Sequence, residues 1–413
     1  MSIFSPIATG QCCPPEPLQR KSLLVQKDGQ IVVSSRRYAR SVLPVRLAAG
    51  FVHAAIFLSI VIASFPVAEF VFRLIGDEPS SDLRGLYAPF ANRNYKLAAE
   101  VQTSARLASG PLTVYTDTFG LRCDKALRFG AHRDKPINIL LTGDSQGFGN
   151  GVNFEDTIAG SIAALAAEQG YRVSNASVGG HSLANQLQVA RWLTEEQGLT
   201  IENFVLLLTP VMIHSPDEPN QVTVGDDGRL YAEPTIGAHV RGWAKRNSVV
   251  YSRLRDSVRN LGIGANPIQG SSTVFSLYDA NYQQATMEEA LLATMTKFRD
   301  FAAIHGAGIQ VVYVPLTIEA TFESARQAAA RQNISLDPDL PYRIAASVAA
   351  RLGIPMHDLR PVLQQAHSVG QVLTVKGDFH YSPSLSRACG ARLWTEFALP
   401  AGKLNVIGAN RSN

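Results

Sequence analysis

Cysteine is scarce in this sequence, with four among 413 residues. That excludes a small scaffold held together by disulfides. No Cys-x-x-Cys pair or Cys/His cluster occurs, so no structural zinc site is expected. Charge is thin, at 17% of residues, and the 38 Lys+Arg nearly balance the 34 Asp+Glu. Much of the basic excess sits near the N-terminus, which excludes a basic nucleic-acid face spread over a folded domain. The chain also lacks an internal repeat on the order of 20–50 residues. Glycines Gly147, Gly149 and Gly151 form a small-residue turn. No Gly-Lys-Ser/Thr follows it, and its spacing misses the dinucleotide pattern, so a nucleotide loop is excluded. No metal and no organic cofactor is expected. What is present is apolar: 46% hydrophobic residues are enough for a sizeable core, which rules out wholesale disorder.

One apolar stretch stands apart. Ala48 to Ala68 carries no charged residue, and at about 1.5 Å per residue it reaches roughly 30 Å, the thickness of bilayer hydrocarbon. His53, its one strongly polar side chain, lies near the N-terminal end. Arg36, Arg37, Arg40 and Arg46 precede the run, whereas Glu69, Arg73, Asp77 and Glu78 follow it. The positive-inside bias then predicts a single-pass anchor within 48–75, a cytoplasmic tail over 1–47, and the rest of the chain outside the cytoplasm. The polar region ahead of the run is too long for the n-region of a cleaved signal peptide. Cys12 and Cys13 lack the small residue and upstream apolar stretch of a lipoprotein site. Cys123 and Cys389 fall on the outer side, where a disulfide between them and two buried thiols both fit.

After the anchor, 76–114 is polar and weakly patterned and reads as a linker. A domain over 115–400 follows, with a short tail over 401–413. Within it, Ile137–Leu141, Tyr171–Asn175, Phe204–Leu208, Ile309–Val314 and Ile354–His357 read as short apolar strands. Helical periods separate them: Ile158, Ile162 and Leu165 on one face, then Leu183, Leu187, Ala190 and Leu193 on another. Residues 213–283, rich in Asp, Asn, Gly, Pro and Ser, interrupt this rhythm as an insertion. Thr286-x-x-Glu289 then opens a helix carrying Met287, Leu291, Met295 and Phe298 on one face. A last helix runs over 384–397. Strands joined by helical crossovers predict an α/β fold with a parallel sheet covered on both faces.

In such a sheet, ligands bind beyond the C-terminal strand ends. The first strand ends in Gly143-Asp144-Ser145, the second in Asn175 through Ser182, and the third in Thr209-Pro210-Val211-Met212-Ile213-His214. A late loop carries Asp378-Phe379-His380. A serine directly after a buried strand presents its hydroxyl where backbone N–H groups lie unpaired and can face a developing oxyanion. Serine is a weak nucleophile at neutral pH and needs a base, which His380 can supply. Asp378 can hold one ring nitrogen and leave the other for the serine proton. Asp144 is expected to bond within its own turn, His181 to be a surface residue at a helix start, and His214 either to line the pocket or to be structural.

Strand–Gly143-Asp144-Ser145–glycine turn–helix, then Asn175-x-x-x-x-Gly180, then Asp378-x-His380, resembles the SGNH (GDSL) hydrolase family. It is similar above all to the membrane-anchored envelope members, where Gly120-Leu121-Arg122 matches a stretch ahead of the nucleophile strand. The resemblance spans about 118–397 and implies a three-layer α/β/α, flavodoxin-like domain that cleaves or transfers ester-held acyl groups. It implies Ser145 as nucleophile, His380 as base, Asp378 as the residue orienting it, and the N–H groups of Ser145 and Gly180 as oxyanion donors. The family's third block ends in an asparagine that adds another donor, and Thr209 to Met212 has none. Thr209, His214 or Asn220 are the candidates to replace it, and Asp358 is the fallback for Asp378. Three functions stay open: hydrolysis of an acylated glycan or small ester, acyl transfer to a glycan with a membrane partner supplying the donor, and non-catalytic glycan binding.

Overall fold

A computed structural model describes residues 25–27, 30–32, 56–57, 59–60, 63–74, 83–90, 94–107, 110–126, 136–217, 222–225, 228–232, 243–244, 247–251, 253–254, 275–281, 284–330, 334–375 and 378–397. Two compact units divide the chain, 1–68 and 69–413. In the first, β1 (Val25–Lys27) and β2 (Gln30–Val32) pair as an antiparallel hairpin. The expected anchor is described only in part, as helical residues 56–57, 59–60 and 63–74. Among the described residues no helix is long and apolar enough to cross a membrane. Residues 48–55 and 401–413 lie outside the description.

The second unit is built on β3 (Tyr87–Phe90), β4 (Asn94–Leu97), β5 (Gln102–Leu107), β6 (Gly110–Thr116), β7 (Arg122–Cys123), β8 (Ile139–Gly143), β9 (Val173–Asn175), β10 (Asn203–Leu208), β11 (Val222–Val224), β12 (Leu230–Ala232), β13 (Gly308–Tyr313) and β14 (Met356–Asp358). Eight of these form one sheet in the order β14-β13-β10-β8-β9-β7-β6-β5. β14, β13, β10, β8 and β9 run parallel, and β7, β6 and β5 extend the sheet antiparallel. Every residue of β8 and β10 is buried, as expected of parallel strands covered on both faces.

Period-2 alternation sorts the side chains. Phe204, Leu206 and Leu208 pack on one face with helices α3 (Leu183–Arg191), α5 (Gln284–Ile304) and α7 (Leu340–Leu352). Val205 and Leu207 pack on the other with α2 (Ile158–Ala167), α8 (Arg360–Ser368) and α9 (Pro383–Phe397). Two single-turn or short helices, α1 (Ser145–Phe148) and α4 (Pro210–His214), follow β8 and β10, and α6 (Phe322–Ala330) lies beyond β13. The result is three layers around a mostly parallel sheet. The chain leaves β8 for β9 on one side and then crosses to β10 on the other, so the strand order reverses at β8. Such a switch point opens a crevice at the carboxyl end of that strand.

The linker expectation over 76–114 is corrected. This stretch carries the β3–β4 hairpin and the two outer sheet strands β5 and β6, and Leu86, Tyr95, Leu97, Leu112 and Val114 join Phe148 and Val178 in a core of their own. The 213–283 insertion is tied down at several points. The Tyr87 N–H donates to the Gly228 carbonyl at 3.0 Å. Glu69 accepts from the Ser248 hydroxyl and from the N–H groups of Val249 and Val250. Tyr278 is buried against Leu316 and Ile318.

Candidate active site

Ser145 is the first residue of α1, two residues past the end of β8, and is half-buried. The turn is held from four sides. Asp144 caps it, accepting from the Gln146 N–H at 2.8 Å, and its second oxygen accepts from the Thr209 hydroxyl at 2.6 Å. Burial pushes the Asp144 carboxyl pKa up, against the pull of these donors. The Asn175 amide donates to the Gly147 carbonyl at 3.0 Å and accepts from the Ser177 N–H at 3.0 Å. Gly149 ends the turn at φ +80, where a Cβ would lie 2.3 Å from a Thr157 methyl, so only glycine fits. Arg122, buried to 1% exposure, donates to the carbonyl of Gly149 at 2.8 Å and to those of Phe148 and Val152. Burial lowers its pKa to about 9, which still leaves it charged at neutral pH.

His380 is buried, and its Nδ1 lies 2.8 Å from the Asp378 carboxylate. Burial opposes ionisation of Asp378, but the hydrogen bond and charge of His380 and the Phe379 and His380 N–H groups outweigh it and lower its pKa. With Asp378 ionised, Nδ1 must carry the proton, so the lone pair falls on Nε2. Nε2 is buried and has no hydrogen-bond partner among the described residues. Asn150 approaches Nδ1 at 3.3 Å, and the Phe379 ring lies 4.1 Å from the imidazole.

The neighbour of Ser145 brings this loop to the turn. The Gln146 side chain donates to the Phe379 carbonyl at 3.4 Å and accepts from the Tyr381 N–H at 3.2 Å, gripping the residues on both sides of His380. Gly180, at φ +82, comes from the loop after β9. The preceding residue, Gly179, faces Ser145: a Cβ on it would lie 3.7 Å from the Ser145 Cβ. Among the described residues no hydrogen bond engages the backbone N–H of Ser145 or Gly180.

The other expected residues stand elsewhere. The Thr209 hydroxyl spends its proton on Asp144. His214 closes α4, with Nδ1 3.1 Å from the Ser215 hydroxyl. Val211, in the turn that lacks asparagine, is half exposed. Asn220 lies outside the described residues. Asp358 forks with Arg360 at 2.8–3.1 Å, and among the described residues the carboxylate on His380 Nδ1 is that of Asp378. His181 is buried rather than on the surface: Nε2 lies 2.8 Å from the Tyr95 carbonyl, and burial pushes its pKa down to about 4. Cys123 and Cys389 are buried thiols, not a disulfide, and burial raises Cys389 to about 12. No group of His, Cys, Asp and Glu among the described residues could hold a metal ion.

Gln146, Asn150 and Tyr95 were not singled out by sequence reasoning, because their partners lie far along the chain. Asn175 entered there only as part of a motif. No family model matches the chain, and no curated protein matches it. Among solved structures it is similar to an acetyl xylan esterase, at 13% identity over 63% of this chain and 99% of that one, with a TM-score of 0.36. It is similar to a lipase/acylhydrolase from Enterococcus faecalis at 14% identity, covering 63% and 94%, with a TM-score of 0.34. An inhibitor-bound M. smegmatis aryl esterase matches at 13% identity over 63% and 97%, with a TM-score of 0.32.

Proposed function

We propose that this chain is a serine ester hydrolase of the SGNH type, anchored by the charge-free run 48–68 with its catalytic domain outside the cytoplasm. One observation supports the chemistry: a buried imidazole whose Nδ1 is held by Asp378 and whose Nε2 has no partner among the described residues, fastened by Gln146 to the turn that begins with Ser145. Ser145 Oγ attacks the ester carbonyl while His380 Nε2 takes its proton. The N–H groups of Ser145 and Gly180 receive the oxyanion. Collapse expels the alcohol, which takes the proton back from His380 and leaves an acyl-serine. Water, deprotonated by the same nitrogen, then releases the acid and restores Ser145. Acyl groups on cell-envelope polysaccharide, acetyl foremost, fit the compartment and the resemblance to envelope members.

Full-length protein should turn over p-nitrophenyl acetate and form a fluorophosphonate adduct on Ser145, and Ser145→Ala should do neither. Equal turnover by the two proteins would end the esterase reading. A periplasmic-type reporter fused after residue 80 should be active only outside the cytoplasm, and activity inside would overturn the anchor and its direction.

A further inference from the structure

The charge-free run ends at Ala68, and the next residue is an acid whose partners lie far along the chain. Glu69 accepts from the Ser248 hydroxyl at 2.9 Å and from the N–H groups of Val249 and Val250 at 3.1 Å each. One helical turn on, Arg73 donates to Glu69 at 2.9 Å and to the Asn247 carbonyl at 2.8 Å. The Asn247 side-chain amide donates in turn to the Trp243 carbonyl at 2.8 Å. Ser248 and Val249 are buried, and the Ser248 hydroxyl accepts from the Tyr251 N–H at 3.0 Å, so it caps the turn that follows. The part of the insertion around 243–254 is thereby fastened to the helical residues just past the charge-free run.

The surface of these two tied pieces is apolar. Trp243 and Leu254 are 62% and 61% exposed, and Phe70, Val71 and Leu74 are exposed as well. Among the described residues beyond 68, ten large apolar side chains are exposed, and these are five of them. Exposure concentrated in this way marks an interaction surface, whereas apolar residues exposed singly need no explanation. The sequence around Trp243 and Leu254 is basic: 241–259 holds Arg241, Lys245, Arg246, Arg253, Arg255 and Arg259 against Asp256 alone. Tryptophan and leucine set among cations, beside the end of an apolar run, are the side chains that settle where acyl chains meet anionic headgroups.

We propose that 243–254 is a membrane-surface foot, with Trp243 and Leu254 seated at the headgroup boundary of an anionic phospholipid bilayer beside Phe70, Val71 and Leu74. The proposal rests on the anchor reading above and adds an interfacial contact to the single span. Glu69 lies one residue past the run that crosses the bilayer, so the backbone bonded to Glu69 lies at headgroup depth. The same insertion bonds β3 through the Gly228 carbonyl, so the foot gives the domain a second tie to the membrane besides the covalent chain.

The full-length chain in lipid nanodiscs with dibrominated acyl chains tests this, because bromine quenches only indoles that reach the chains. Trp192 and Trp394 pack in the two cores that cover the sheet, so the quenching reads Trp243. In discs of phosphatidylglycerol and phosphatidylcholine, wild-type emission should fall by roughly the share of one tryptophan in three. Trp243→Phe, at an exposed position, should lose that quenching while still co-eluting with the discs. Discs of phosphatidylcholine alone should quench less, and equal quenching there would remove the role of the cations. Co-elution with no more quenching than in Trp243→Phe would overturn the foot and leave the anchor standing, and two chains per disc in that case would give the face to a second copy. A chain that does not co-elute with the discs ends the anchor reading first, and this inference with it.

Discussion

At the scale of single residues, the strongest constraint is the direction of one hydrogen bond. Asp378 is held ionised by His380 and by the N–H groups of its own loop. An ionised carboxylate 2.8 Å from Nδ1 can only accept, which fixes the tautomer that leaves Nε2 basic. Asp378→Asn keeps the shape but can turn its amide donor toward Nδ1, placing the proton on Nε2 and removing the base. Turnover of p-nitrophenyl acetate should fall by about three to four orders of magnitude with little change in melting temperature. Asp358→Asn, which breaks only the fork to Arg360, should leave kcat in place, and the opposite pattern would hand the orienting role to Asp358. Ser145, Asp378 and His380 stand out as candidates in the sequence because each chemical type sits beside its own local signal, a strand end or a two-residue spacing. Gln146 was not legible. Its bonds reach 233 and 235 positions along the chain, and a glutamine inside a glycine turn carries no pattern that foretells them.

At the scale of elements, long apolar strands were readable and short mixed ones were not. β8 and β10 are wholly buried, so their sequences are continuous apolar runs. α5 buries Met287, Leu291, Met295 and Phe298 at helical spacing. By contrast, β3 and β4 have four residues each, too few for alternation to rise above the polar residues around them. β5 and β6 lie at the outer end of the sheet, with polar side chains on one side, and so read as linker. The error propagated. His181 looked like an exposed helix-start residue because nothing in the sequence indicated that Tyr95 would lie over it, 4.9 Å between ring centroids. A site assembled only from the ends of parallel strands therefore omits the hairpin that walls it, and with that hairpin the tyrosines beside Gly179.

At the scale of the whole molecule, the insertion and the sheet are joined through a buried carboxylate. Glu319 follows β13 in a 3₁₀ turn, Thr317–Thr321. One oxygen accepts from the hydroxyls of Tyr278 and Tyr313, at 2.8 and 3.0 Å, and from the Leu316 N–H at 3.0 Å. The other oxygen is buried with no partner among the described residues. Desolvation outweighs those donors and raises the carboxyl pKa from 4.5 to about 7. The sign of the consequence follows from proton counting. Between these two values the folded chain holds a proton that the unfolded chain has released, so stability is complete below the lower value and falls as pH rises through the upper one. The span corresponds to roughly 3 kcal/mol. Glu319→Gln keeps an acceptor for both tyrosines and cannot ionise, so its unfolding free energy should lack this decline. Urea unfolding of the full-length chain in detergent at pH 5 and pH 8 reads the difference. The wild type should lose stability relative to Glu319→Gln as pH rises, and parallel curves would mean that the carboxylate reaches water and titrates as it does in the unfolded chain.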